Sequence, residues 1–148
     1  MFPAKTNISQ IKLVIPNNCT ILQQPYKKNQ QNTAKFNNQL TDNHINTIFS
    51  VYYPQIIALT TICQCGYRGA FNIHPAKLPE YRGAHILNWL MIEGLTSSHV
   101  TLHTLEAGID EGDIVKSLEY KIKDNDTIND VIATTFTTAT KILIDFKP

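Results

Sequence analysis

The sequence predicts an α/β fold in which helices flank a largely parallel sheet. Short β-branched or aromatic runs alternate with segments of helical spacing, which is typical of strands joined by helical crossovers. The run over residues 47–53 alternates poorly between apolar and polar positions, which indicates a strand covered on both faces. The 148 residues, 43% of them hydrophobic, suffice for one domain with a buried core.

The first third of the chain carries the weakest pattern. Residues 12–15 and 20–22 are apolar runs stopped by prolines, and each can form a short strand. Residues 29–46 are polar and rich in Asn and Gln. Within them Phe36 and Leu40 stand four positions apart, which fits either a weak amphipathic helix or a partly ordered connection.

The elements after residue 55 carry clearer start and stop signals. The patterns predict a short helix or turn over residues 56–62, a strand over 70–74, a helix over 84–93 that ends at Gly94, a strand over 99–105, a turn over 110–114, a strand over 115–122, and a helix from a cap at Asp126 or Thr127 to about residue 145.

Charge and hydropathy exclude several classes of protein. The chain carries 13 basic and 12 acidic residues, a net charge of +1, which gives no electrostatic signature for nucleic acid or an anionic membrane surface. No apolar run approaches the ~18 residues of a membrane helix. The N-terminus lacks the pattern of a signal peptide, so we expect a cytosolic protein.

The cysteines favour reduced thiols. An odd number, Cys19, Cys63 and Cys65, at low density argues against a disulfide-stapled scaffold. Cys63 and Cys65 could begin a soft-metal site, but no second Cys/His pair at zinc-site spacing accompanies them. We therefore expect no metal.

Polar side chains stand where the predicted strands end. They are Asn72 and His74, His103, and Asp110 in a Gly-containing turn. Ligands bind at the carboxyl ends of strands in open α/β sheets. Asn72 and His74 share a strand face, while Ile73 points into the core. An amide and an imidazole can hold an oxyanion, and a nearby Asp can orient the imidazole and accept a proton. This set favours acyl-type transfer to an amine, although each residue alone also fits a structural histidine or a turn former.

Two segments then carry a family resemblance. Residues 71–83 read FNIHPAKLPEYRG and residues 108–114 read GIDEGDI. They resemble the N-I-H-P-x-x-L-P-x-Y-R-G and G-x-D-x-G-D-I signatures of the folate-dependent formyltransferases, which include methionyl-tRNA formyltransferase, glycinamide ribonucleotide transformylase and the sugar N-formyltransferases. The likeness is strong over residues 47–118 and weak over residues 1–46. It implies a single catalytic domain over residues 1–148 with a Rossmann-like, formyltransferase-type sheet.

The resemblance implies an enzyme of one-carbon metabolism. It would transfer a formyl group from its co-substrate, N10-formyltetrahydrofolate, to a primary amine. Asn72 and His74 would stabilise the oxyanion. Asp110 would hold a charged His74 and take the proton of the amine, directly or through a water. The resemblance also implies a cis peptide bond between Leu78 and Pro79.

Further residues are assigned by the same resemblance. The folate pocket would be formed by Tyr52, Tyr53, Ile56, Ile57, His103 and Gly108. Arg82 would bind the acceptor substrate. The residues from Tyr52 to Ile57 would look the same in sequence as core residues. His103 fits equally a hydrogen-bonded strand residue, and Arg82 fits a brace for its loop.

The front of the chain departs from the family. Residues 1–50 contain nothing like the opening strand and Gly-rich phosphate-binding turn of the family, so we expect the first βα unit to be absent. A missing strand would expose a sheet edge, and a homodimer or a companion chain would cover it.

The expected acceptor is a small-molecule amine, most of all an amino sugar of a sugar nucleotide. The chain ends without the separate C-terminal domain of the tRNA enzymes, and its net charge of +1 gives little attraction to a phosphate backbone. The alternatives are an activity like that of methionyl-tRNA formyltransferase or glycinamide ribonucleotide transformylase, or an inactive shortened relative that acts as a binding module.

Overall fold

The computed structural model describes residues 30–53, 56–64 and 69–146. In that part of the chain four helices and four strands follow the order α1 (Gln30–Asp42), β1 (Ile48–Val51), α2 (Leu59–Gln64), β2 (Ala70–His74), α3 (Ile86–Ile92), β3 (Ser97–Thr104), β4 (Ile114–Lys121) and α4 (Ile128–Asp145). The predicted strands at residues 12–15 and 20–22 lie outside the described residues, as do Cys19 and Cys65 and the position of the first βα unit.

The four strands form one sheet in the order β1-β2-β3-β4. β1 lies parallel to β2, whereas β2 and β3 are antiparallel, as are β3 and β4. The α/β class is confirmed, but the described sheet is mixed rather than largely parallel. β3 and β4 run antiparallel because the connection between them, residues 105–113, is shorter than the crossover that a parallel pair needs.

Helix α4 packs against β3 and β4 and completes the core. Its start is fixed by a capping box, in which the Thr127 hydroxyl accepts from Asp130 N–H and the Asp130 carboxylate accepts from Thr127 N–H. Its buried positions recur at helical spacing: Val131, Thr135, Thr138, Ala139 and Ile142. They meet strand residues such as Val100 and Leu102, both 0% exposed. Burying each large aliphatic side chain contributes about 1.5–3 kcal/mol.

Helix α3 lies on the segment between β2 and β3. Ile86, Leu87 and Leu90 are buried on one side of it, as the predicted apolar face requires. Gly94 follows the last turn with a φ of 67°, the left-handed conformation that glycine adopts readily after a helix. The predicted end of this helix is therefore confirmed.

Residues 30–42, which the sequence left open between helix and connection, form helix α1. Phe36 and Leu40 are buried. The Thr61 hydroxyl on α2 donates a hydrogen bond of 2.6 Å to the side-chain oxygen of Asn37, which joins the two helices. Among the helices of the described residues, none has the length and apolar character that crossing a membrane requires.

Candidate active site

Asp110 lies at the centre of the candidate site. Its Oδ2 accepts a hydrogen bond of 2.9 Å from the backbone N–H of Gly83 and lies 3.4 Å from His74 Nδ1. Its Oδ1 accepts one of 3.3 Å from Asn72 Nδ2 and lies 3.4 Å from His103 Nε2. The side chain is 12% exposed. The structure thus brings Asn72, His74 and Asp110 together around a largely desolvated carboxylate.

Strand register places Asn72 and His103 opposite each other. In the β2–β3 pair, Asn72 aligns with His103 and His74 aligns with Thr101. Directly opposite residues share a face of the sheet, and His74 shares it with Asn72 by the period of two. Ile73 is 1% exposed in the core, as predicted. Because β2 and β3 run in opposite directions, the site forms across two strands and not at a shared carboxyl edge.

The loop between β3 and β4 brings Asp110 next to these strands. The loop is closed at its base, where Thr104 N–H donates to the Asp113 carbonyl at 3.0 Å and Asp113 N–H donates to Thr104 Oγ1 at 2.9 Å. Asp110 has a φ of 52°, a left-handed conformation that Asp tolerates better than most residues. Strained backbone of this kind clusters at functional sites.

His74 is buried and uses both ring nitrogens. Its Nε2 lies 2.6 Å from the carbonyl oxygen of Tyr81, and a carbonyl only accepts, so Nε2 carries a hydrogen. Burial lowers the pKa of His74, and this outweighs the opposite effects of Asp110 and the Tyr81 carbonyl. The lowered pKa favours a neutral imidazole, and the charged His74 that the resemblance implied stays a prediction. Its Nδ1 then faces Asp110 with a lone pair.

The carboxylate of Asp110 is ionised. Burial raises its pKa, but the polar groups around it, among them the Gly83 N–H that it accepts, hold the pKa below the ordinary value of 3.8. A neutral imidazole beside an ionised, partly buried carboxylate forms a pair that can accept one proton. The site can therefore act as a general base.

The structure places Tyr52 against helix α4. Its hydroxyl is hydrogen-bonded to Thr135, and its ring stacks on Phe136 with the centroids 4.4 Å apart. Burial raises the pKa of the Tyr52 hydroxyl well above its usual value. These contacts give Tyr52 a packing role between β1 and α4, and its predicted contact with folate stays a prediction.

The other residues assigned to the folate pocket have different environments. Tyr53 is half-buried, and burial raises its pKa. Ile57 is half-buried, whereas Ile56 is 58% exposed. Gly108 lies beside the carboxylate of Glu111, which a Cβ at this position would meet. Their roles likewise stay predictions.

Arg82 is exposed and stands between two residues that contact the site. Before it, Tyr81 offers its carbonyl to His74. After it, Gly83 donates its N–H to Asp110 from a φ of 98°. From the sequence alone, no role was predicted for Gly83. Its place in the signature could have indicated a role, because a glycine in a motif often marks a backbone conformation that other residues adopt only with strain. The Leu78–Pro79 bond is cis, as the resemblance implied.

A cavity of about 330 Å³ lies near the end of α1, apart from the residues around Asp110. It is lined by Leu40, Thr41, His44, Ile45, Asn46 and Gln64. Within residues 30–53, 56–64 and 69–146 there is no group of three or more His, Cys, Asp or Glu side chains placed to hold a metal ion. Cys63 is exposed and unpaired.

A sequence model described as formyl transferase matches residues 5–146 of the chain. The match covers nearly the whole sequence, including the segments that build the site. The chain belongs to the formyl transferase family. This confirms the family that the residues around Asn72 and Asp110 indicated.

One curated relative is the bifunctional polymyxin resistance protein ArnA of Wigglesworthia glossinidia brevipalpis. It is 38% identical over 102 residues, which span 69% of this chain and 15% of the relative. The formyl transferase chain thus corresponds to a small part of that bifunctional protein.

Solved structures of formyltransferases and a deformylase share the fold. The phosphoribosylglycinamide formyltransferase of Streptococcus pneumoniae TIGR4 matches with a TM-score of 0.67 and 28% identity, over 74% of this chain and 61% of that one. The glycinamide ribonucleotide transformylase 1 of Symbiobacterium toebii matches with a TM-score of 0.71 and 21% identity, over 80% and 55%. A formyltetrahydrofolate deformylase of Pseudomonas syringae pv. tomato matches with a TM-score of 0.72 and 18% identity, over 81% and 40%.

Proposed function

We propose that this chain transfers a formyl group from N10-formyltetrahydrofolate to a primary amine, most of all the amino sugar of a sugar nucleotide. The observation that carries the proposal is the convergence of Asn72, His74 and Asp110 around one ionised carboxylate. These residues stand in the signatures of a family whose sequence model matches the chain. An amide donor beside a neutral imidazole and a carboxylate is suited to acyl transfer.

The reaction exchanges one bond to the formyl carbon for another. The nitrogen of the amine bonds to that carbon, the bond from N10 to the carbon breaks, and one proton of the amine is transferred to N10. Tetrahydrofolate and an N-formyl product result. As the carbon passes through its tetrahedral stage, negative charge develops on the formyl oxygen, and the site has to stabilise it.

Three side chains supply what this exchange needs. The Asn72 amide donates a hydrogen bond to the formyl oxygen. Asp110 accepts the proton that the amine loses, directly or through a water. The Nδ1 of His74, 3.4 Å from Asp110, shares that proton, which gives the imidazole positive charge while the oxyanion exists. The Tyr81 carbonyl keeps the second ring nitrogen protonated throughout.

Exposed apolar side chains support the proposal of a folate donor. A pterin ring is flat and needs apolar contacts together with a few polar ones. Ile56 and Ile109 expose apolar side chains, at 58% and 57%, and Ile109 directly precedes Asp110. We propose that they join Tyr53, Ile57 and Gly108 in holding the donor.

A small acceptor is favoured over tRNA. The net charge of +1 gives little attraction for a phosphate backbone, and structural neighbours are named for phosphoribosylglycinamide, a small amine. The 38% identity to the polymyxin resistance protein supports an acceptor other than phosphoribosylglycinamide. Arg82, exposed beside Gly83, is proposed to bind an anionic group of the acceptor.

Calorimetry with a stable folate analogue, followed by turnover on a panel of amines, tests the proposal. The panel contains amino-sugar nucleotides, phosphoribosylglycinamide and initiator methionyl-tRNA, with water as the acceptor in a control. We expect folate binding and turnover on an amino-sugar nucleotide. Turnover on phosphoribosylglycinamide or tRNA alone would reassign the acceptor. Folate binding without turnover on any amine would support the binding-module alternative, and the absence of folate binding would refute the proposal.

A further inference from the structure

We infer that His103 is a positioning residue that fixes the orientation of the Asn72 side-chain amide, and that it is not a contact for the formyl donor. The catalytic consequence of this inference rests on the proposed function. The geometry itself rests on hydrogen bonds within the chain, and it can be tested without turnover.

Burial removes His103 from direct contact with a ligand. Its side chain is 1% exposed, although it lies directly opposite the more accessible Asn72. Both of its ring nitrogens face groups of the chain: Nδ1 lies 2.8 Å from the Thr104 carbonyl oxygen. Nε2 lies 3.1 Å from Asn72 Nδ2 and, farther away, 3.4 Å from Asp110 Oδ1. A folate ring would have no surface of His103 to bind.

The partners of His103 fix its tautomer. The Thr104 carbonyl only accepts, so Nδ1 carries a hydrogen. The Asn72 amide nitrogen only donates, so Nε2 presents a lone pair to it. With Nδ1 donating to Thr104 and Nε2 accepting, the bond runs from the Asn72 amide to His103.

This bond selects one of two orientations of the Asn72 amide. With the amide nitrogen turned toward His103, one of its hydrogens points to Nε2, and the two nitrogens lie 3.1 Å apart. The other makes the longer contact of 3.3 Å with Asp110, and it is the one free to move to the formyl oxygen. The reverse orientation would present the amide oxygen, an acceptor, where a donor is required. His103 thus keeps the oxyanion donor facing the right way.

The sequence builds this pair through strand register. Asn72 and His103 are direct cross-strand partners in the β2–β3 ladder, so their side chains extend from one face. On its other side β3 has a register shift between Leu102 and His103 in its pairing with β4. Irregularities of this kind re-aim a side chain and are frequent beside active sites.

Two substitutions separate positioning from contact. His103→Phe keeps a ring but has no acceptor, whereas the amide oxygen of His103→Gln can accept from Asn72. We expect His103→Phe to lower kcat roughly 10- to 100-fold, as a misplaced catalytic group does, with KM for the formyl donor changed less than about twofold. His103→Gln is expected to recover most of kcat. His99→Phe, the same change on the same strand outside the site, is the matched control.

Specific kinetic outcomes would overturn the inference. A raised KM at unchanged kcat would make His103 a donor contact. An equal loss of kcat in the Phe and Gln variants would show that the hydrogen bond to Asn72 is not responsible.

A measurement on the wild-type protein is independent of turnover. Nitrogen NMR of the histidine rings is expected to show His103 protonated at Nδ1 with a lone pair at Nε2. His103→Gln is expected to shift the side-chain amide resonances of Asn72. Protonation of His103 at Nε2, or unchanged Asn72 resonances, would contradict the inference even if His103→Phe failed to fold. If no amine is formylated, the proposed function fails while these spectra still decide the role of His103.

Discussion

At Asp110, backbone strain and a buried charge are offset by one set of contacts. Its left-handed backbone costs on the order of 1–3 kcal/mol. Gly83 N–H and the side chains of Asn72, His74 and His103 converge on its carboxylate. The strained backbone persists because these contacts together hold the Asp110 side chain in place. Removing any one of them therefore weakens the hold of the others.

Removing the amide donor is expected to slow turnover. Asn72→Ala deletes the hydrogen bond to the formyl oxygen, and loss of one oxyanion donor costs about 2.7–4 kcal/mol of barrier, or roughly 10²- to 10³-fold in kcat. Steady-state kinetics measures this. Asn129→Ala, on the exposed side of α4, is the control and should leave kcat unchanged. An Asn72→Ala variant with wild-type kcat would remove this residue from the mechanism.

Stability in acid is expected to depend on His74. Burial lowers its folded pKa below the ordinary 6.5, so the unfolded chain binds a proton first as the pH falls. The free energy of unfolding therefore decreases below pH 6.5 until the folded His74 also titrates. The pKa of Asp110 is lowered from 3.8, so its stabilisation is complete well above that value and is lost as the pH falls through its folded pKa.

Urea unfolding between about pH 7.5 and 5 tests the histidine part of this pH dependence. His74→Asn is expected to lose part of the decrease in unfolding free energy. His44→Asn, at an exposed histidine with a φ of 52° that Asn also tolerates, should keep the wild-type decrease. The same pH slope in wild type and His74→Asn would contradict the account.

At the scale of elements, the connection between β3 and β4 determines where Asp110 lies. Thr104 and Asp113 clamp its base with two hydrogen bonds. Gly112 packs against this clamp, and a Cβ there would overlap the backbone carbonyl of Thr104. That same carbonyl accepts from His103. A displacement of the loop would therefore move Thr104 and His103, and through His103 the Asn72 amide.

Gly112→Ala is expected to destabilise the protein by about 1–3 kcal/mol, because the overlapping atoms are backbone and cannot move aside freely. Urea denaturation measures the change. Gly108→Ala is the matched control, since its Cβ would meet only the flexible carboxylate end of Glu111. A Gly112→Ala protein as stable as Gly108→Ala would show that the loop relaxes easily.

Elements with local signals were predictable from sequence, whereas the direction of β3 relative to β2 was not. The strand over residues 70–74 and the capped helix that ends at Asp145 match the structure within a few residues. Their boundaries come from proline, caps and apolar spacing, which act locally. The antiparallel pairing of β3 with β2 depends on how separate segments of the chain meet, and no local pattern records it.

At the scale of the whole molecule, the site joins two separate stretches of the chain, residues 72–83 and 103–110. The signatures predicted that Asn72, His74 and Asp110 act together, and the structure places them within hydrogen-bonding or ion-pair distance of Asp110. The link from Asn72 to His103 was not predictable, because it follows from antiparallel register. Tyr52 was assigned to the folate pocket, while its observed partners lie on α4.

The fate of the formyl carbon tests the central claim most directly. N10-formyltetrahydrofolate with an isotope-labelled formyl group is mixed with an amino-sugar nucleotide and either wild type or Asp110→Asn, and the labelled product is followed by mass spectrometry. Asn tolerates the left-handed backbone of position 110, so the variant removes the charge and not the fold. We predict a labelled N-formyl sugar nucleotide from wild type and a rate lower by roughly 10² or more in the variant. Label recovered only as formate, or equal rates from both proteins, would contradict the account.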